Sequence, residues 1–276
     1  MHFNFDFSAG EILWTLTFAA LLVLLVVLLG RDRVKRFQWF TASMALMALR
    51  MLASRLLLGR MAPIVSSEIF LVLADLAAII AVLVVVEMAR QAFHGASRKA
   101  WIIATLILLA VAGVVVAKWG PWPSLKTLLA GSTLSVLRTM QLVAQKTDLL
   151  ADVLIIQLSL LVMLFGRRFK AGWRSHVQQI VIGLSTASIA QLAVRLIWEK
   201  IALNTTVHQQ ADYQRVMDLQ TKFYNANSAI YLVVIIWWIV CLWIDESGTA
   251  SAALPAEGAP AMEGEPSPTE ATQSED

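Results

Sequence analysis

Seven residues in this sequence combine chemical reach with an expensive location: Arg50, Asp75, Asp152, Gln191, Arg195, Asn227 and Tyr231 all stand inside or at the edge of long apolar runs. Charged and amide groups at membrane depth are costly, so each marks a candidate functional site by default. Their types define the chemistry on offer. Arg50 and Arg195 suit an anionic group, Asp75 and Asp152 suit a cationic group or protons, and the amides and the phenol of Gln191, Asn227 and Tyr231 would orient whatever binds. These seven are the expected ligand-binding set.

Helical spacing brings them toward one level. Ser43, Met47, Arg50 and Ser54 share a face, as do Glu68 and Asp75, then Asp148 and Asp152, then the stripe Ser185, Ser188, Gln191, Arg195 and Glu199. Asn225, Asn227, Ser228 and Tyr231 open the last run. A competing reading makes the same groups structural, with Arg50 paired to Asp75 and Arg195 to Asp152 or Glu199, because helix packing in membranes uses polar contacts as well as close apolar ones. Glu87 and Arg90 read as a simple pair at the opposite interface.

The elements that must carry these residues follow from composition. Apolar residues make up 58% of the 276 and charged residues 15%, far from the values of about 45–50% and about 25% typical of soluble domains. A bilayer core of about 30 Å needs about 20 apolar helical residues per crossing. Continuous runs such as ILWTLTFAALLVLLVVLLG exclude the alternating pattern of a barrel. Spans are expected at 11–30, 38–58, 67–90, 100–118, 148–166, 176–198 and 224–244, making an all-α, seven-transmembrane helix bundle over residues 1–246. The stretch 121–147 reads as an interfacial helix or an outward extension of the fifth span.

Charge orients the bundle. Arg31, Arg33, Lys35 and Arg36, then Arg90, Arg98 and Lys99, then Arg167, Arg168, Lys170 and Arg174 fall in three loops on one side, which the positive-inside rule makes cytoplasmic. The N-terminus is then outside and the C-terminus inside. Tryptophan prefers the headgroup level, and Trp39, Trp101, Trp173 and Trp243 fall at one face while Trp14, Trp119, Trp122 and Trp198 fall at the other. The opening MHFNFDFSAGE lacks the cationic start of a secretory signal, so the first run is expected to be retained. Residues 247–276, rich in Ala, Pro, Glu, Ser and Thr, read as a disordered acidic cytoplasmic tail.

The remaining inventory excludes several classes. The net charge of +3 sits in orienting clusters, so no nucleic-acid partner is expected. His2, His94, His176 and His208 avoid mid-span positions and Cys241 is alone, so no metal and no haem-type cofactor are expected. A retinal Schiff base needs a lysine in the last span, and YLVVIIWWIVCLWI has none. No Gly-x-Ser-x-Gly, His-Glu-x-x-His or phosphate-cradling loop is present, so no enzymatic activity is expected. The leading expectation is a sensory or receptor-like module of the plasma (inner) membrane that takes a small ligand from outside and has a membrane or cytoplasmic protein partner. The alternatives are an accessory subunit of a membrane complex and a proton- or ion-coupled transporter; the second of these lacks the proline-broken helices usual for that role.

Overall fold

The computed structural model describes residues 8–57, 60–93, 98–120, 122, 133–165, 175–204 and 210–244. The chain divides into two units, Met1–Ile244 and Asp245–Asp276. The second unit, with the expected acidic tail, lies outside the described residues, as do the basic segment 166–174 and the start of the chain through residue 7.

The described residues form seven helices and no strand: α1 Ala9–Gly30, α2 Gln38–Leu57, α3 Pro63–Ala92, α4 Arg98–Lys118, α5 Thr133–Phe165, α6 His176–Asn204 and α7 Gln210–Trp243. Six of them are long and apolar enough to cross a membrane, which is the character of a multi-pass membrane protein. The exception is α4, whose apolar stretch Ile102–Lys118 ranks among the shorter apolar helices.

Local chemistry sets the helix ends. Ser8 caps α1, its hydroxyl accepting the Glu11 N–H at 3.3 Å, with Glu11 itself in the first turn, the pattern of a capping box. Pro63 opens α3, where a missing N–H costs nothing. At the end of α4, Lys146 of α5 donates to the Val116 carbonyl at 3.4 Å and to the Trp119 carbonyl. The Trp122 indole donates to the Ala117 carbonyl at 2.9 Å. These bonds satisfy carbonyls that a helix C-terminus leaves orphaned.

Two helices outrun their apolar segments. The fifth begins at Thr133 rather than 148, and the seventh at Gln210 rather than 224. SVLRTMQLVAQKTD and DYQRVMDLQTKFYN lose hydropathy but contain no glycine or proline, so polarity ends the apolar segment without ending the helix. Of the two readings of 121–147, extension of the fifth helix holds for the part from Thr133 onward.

The helices alternate in direction. Arg55 near the end of α2 lies 3.7 Å from Glu11 at the start of α1, while Arg33 after α1, His176 at the start of α6 and Ile244 after α7 meet at the opposite end. These are called the Glu11 end and the Arg33 end below. Six helices contact in a closed ring, α1–α2–α3–α5–α6–α7 and back to α1, with α3 also touching α6 across it; among the described residues α4 touches α5 alone.

Packing is unequal along the bundle. The largest fully buried side chains include Leu21, Leu28, Phe37, Phe40, Met88, Leu158, Ile180, Trp238 and Leu242, and each belongs to the Arg33 half of its helix or, for Phe37, to the turn that leads into α2. At the centre, Phe40 meets Trp238 edge-on with ring centroids 5.1 Å apart. Gly183 lets Trp238 close onto the α6 backbone: a Cβ at Gly183 would lie 2.3 Å from the indole Nε1. The Glu11 halves bury far fewer side chains, among them Thr17, Ala48, Ala144 and Leu149, and the buried polar groups Asp152, Ser185 and Ser188 lie closer to the middle of α5 and α6.

Candidate functional site

The Glu11 half contains a cluster of five charges supplied by four helices. Arg195 of α6 approaches Asp148 of α5, with Nη2 to Oδ2 at 3.8 Å and side chains 29% and 39% exposed. Besides Arg195, the charges acting on Asp148 are Arg50 of α2 and Asp75 of α3. One turn deeper on α5, Asp152 is only 8% exposed. Ser188 of α6 faces its carboxylate, and Arg195 and Asp148 are its charged neighbours. Two carboxylate oxygens in this cluster, Asp75 Oδ1 and Asp152 Oδ2, are buried with no hydrogen-bond partner.

This arrangement differs from the pairing expected from helical spacing. Arg195 takes Asp148 as its ion-pair partner, in place of Asp152 or Glu199. The reason is depth: α5 and α6 run antiparallel and bring 148 and 195 to one level, Glu199 lies a turn farther along and exposed, and Asp152 lies opposite Ser188. Arg50 is exposed and Asp75 half-buried; no ion pair within 4.0 Å joins them among the described residues. Asp148, which the expected ligand set omits, is central to the cluster.

The remaining expected members divide. Gln191 is half-buried on the Arg195 stripe, one turn from it. Asn227 is half-buried on α7. Tyr231 turns into the apolar core, its hydroxyl donating to Met44 Sδ at 3.8 Å and its ring edge-on to Trp238 at 6.5 Å. The structure therefore brings Arg50, Asp75, Asp152 and Arg195 together and assigns Tyr231 to packing. Arg55, at the rim, pairs with Glu11 and stacks over Trp14 at 4.9 Å; the latter contact is a cation–π interaction.

A second polar assembly ties helices at the Arg33 end. Arg33 Nη1 lies 2.7 Å from His176 Nδ1 and 2.8 Å from Nε2, and Arg33 Nη2 donates to the Ile244 carbonyl at 3.2 Å. Nε2 of His176 is 2.9 Å from that carbonyl. Glu87 of α3 is not an interface partner for Arg90: its two oxygens accept the N–H groups of Trp39 at 3.1 Å and Phe40 at 3.0 Å. The carboxylate thus caps α2 from a neighbouring helix, where negative charge meets the positive end of the macrodipole. Gln91 adds a bond to the Arg36 carbonyl. The turn 31–37 is consequently held by α3, α6 and the end of α7. Spacing along the chain carries no signal for these contacts, since each partner is remote in sequence.

Among the described residues no group of three or more His, Cys, Asp or Glu is arranged to hold a metal ion. No known family matches the sequence, and neither curated proteins nor solved structures give a match.

Proposed function

We propose that this protein is a seven-span sensory or receptor-like module, with its N-terminus outside and its C-terminus cytoplasmic, that accepts a small ligand from the Glu11 end and acts through protein contacts at the Arg33 end. The observation that carries this reading is the polar cluster itself: Arg195 and Asp148 pair at partly exposed positions near Arg50 and Asp75, and two buried carboxylate oxygens, Asp75 Oδ1 and Asp152 Oδ2, have no hydrogen-bond partner among the described residues. A cluster kept only for packing would be expected to satisfy its buried acceptors internally. Ligand sites between helices of a bundle are built on a few convergent polar groups of this kind. The turn 31–37, held by α3, α6 and the end of α7, supplies a place where rearrangement of the ring would be felt.

Topology is tested in a background from which Cys241 has been removed. Lys35→Cys is expected to react with an impermeant maleimide only after the membrane is opened, whereas Lys222→Cys reacts in intact cells or right-side-out vesicles. The reverse pattern overturns the orientation, and labelling of both from one side overturns the span count. Within the reading, α4 is the seventh span.

Ligand binding is tested on the purified full chain by screening small molecules for saturable thermal stabilisation. Arg50→Ala and Asp75→Asn are each expected to weaken the stabilising ligand about tenfold or more, the scale of one charge-assisted hydrogen bond. If both substitutions change only folding yield and no ligand ever registers, the accessory-subunit reading replaces this one.

A further inference from the structure

We infer that the ligand taken by the Glu11-half cluster bears a small cationic group, an ammonium, and that Asp152 receives it. This rests on the ligand-binding reading above and adds its chemical class. The cluster contains three carboxylates, Asp75, Asp148 and Asp152, against the two guanidiniums of Arg50 and Arg195. With all five groups ionised it carries one uncompensated negative charge in a region where such a charge is expensive. Its two buried polar atoms without partners, Asp75 Oδ1 and Asp152 Oδ2, are both acceptors, so the missing element is a donor with positive charge.

The protein's own cations do not supply it. Arg195 is committed to Asp148, one turn nearer the rim, and Arg50 is exposed. Two further cations near that end are engaged elsewhere: Arg55 is paired with Glu11 and stacked on Trp14, and Lys146 donates to the Val116 and Trp119 carbonyls. Ser188 faces the Asp152 carboxylate, and Oδ2, with no hydrogen-bond partner among the described residues, is left for an N–H of the ligand.

The experiment uses the purified full chain in neutral detergent, with thermal unfolding followed by tryptophan fluorescence during titration with n-butylammonium chloride. Sodium chloride and sodium acetate at matched ionic strength are the comparisons. Butylammonium is expected to raise the midpoint saturably where sodium chloride does not. The effect is expected to weaken about tenfold or more in Asp152→Asn and to survive in Lys200→Gln, a substitution of an exposed residue beyond the cluster. Equal responses to butylammonium and sodium chloride overturn the inference, as does an unchanged response in a folded Asp152→Asn. The wild-type comparison decides the matter if that variant does not fold. Saturable stabilisation by acetate that is lost in Arg50→Ala would retain a ligand site and reject its cationic character. Stabilisation by neither ion, with a ligand later found by screening to be uncharged, would likewise reject the class while leaving the site.

Discussion

Gly183→Ala is expected to lower the stability of the bundle by about 3 kcal/mol, the upper part of the range for overpacking a close contact. The new Cβ would lie 2.3 Å from Trp238 Nε1, 2.7 Å from Cε2 and 3.0 Å from Cζ2. A flexible side-chain tip would swing away, but an indole moves as a rigid plate. Trp238 is fully buried and held edge-on by Phe40 and Tyr231, so relief requires α6 and α7 to separate. The substitution should therefore show as a lower thermal midpoint in detergent. Pairing it with Trp238→Phe should recover part of the loss, giving an interaction energy in a double-mutant cycle. A Gly183→Ala protein with an unchanged midpoint would mean that the two helices do not approach so closely.

Glu87→Ala is expected to cost about 2 kcal/mol, between the loss of an N-cap and the loss of a charge-assisted hydrogen bond at a part-buried site. It removes both acceptors that meet the Trp39 and Phe40 N–H groups and leaves the start of α2 to fray. Glu87→Gln keeps one carbonyl oxygen in place and should fall between wild type and Glu87→Ala. Hydrogen exchange reads the effect locally: the amides of Trp39 and Phe40 should exchange faster in both variants, in that order of severity. If exchange there is unaltered while the midpoint falls, Glu87 stabilises the bundle by a route other than the cap.

The contrast between these two sites shows what one-dimensional pattern conveys. Apolar runs locate the helices because burying backbone polar groups at membrane depth leaves a helix little alternative; α1, α2 and most of α3 fall where hydropathy puts them. The ends of α5 and α7 were less legible, because hydropathy reports where apolar character stops and helix propensity continues through Arg138, Lys146, Asp212 and Lys222. Charge partners were legible as a set and illegible as pairs. Spacing identified Arg195 and the α5 aspartates as facing groups, but the choice of Asp148 over Asp152 depends on how far α5 slides against α6. The cap at Glu87 and the knot of Arg33, His176 and Ile244 depend on contacts between helices far apart in the chain, for which a single sequence holds no register. Polarity alone puts Tyr231 among ligand-binding groups and carries no signal for its contacts with Met44 and Trp238 at the edge of the core.

The closed ring also constrains how the protein can be made. One of its contacts joins α7 to α1, and α7 follows α1 from the ribosome after every other helix of the ring, so until residue 210 has emerged α1 has α2 as its one neighbour among the described residues. The fourth helix waits too, since α5, its only neighbour among the described residues, follows it from the ribosome. A nascent chain halted before residue 210 therefore has two unsatisfied helix flanks, on α1 and on α6, and these are the surfaces an insertion chaperone or a quality-control protease would meet first.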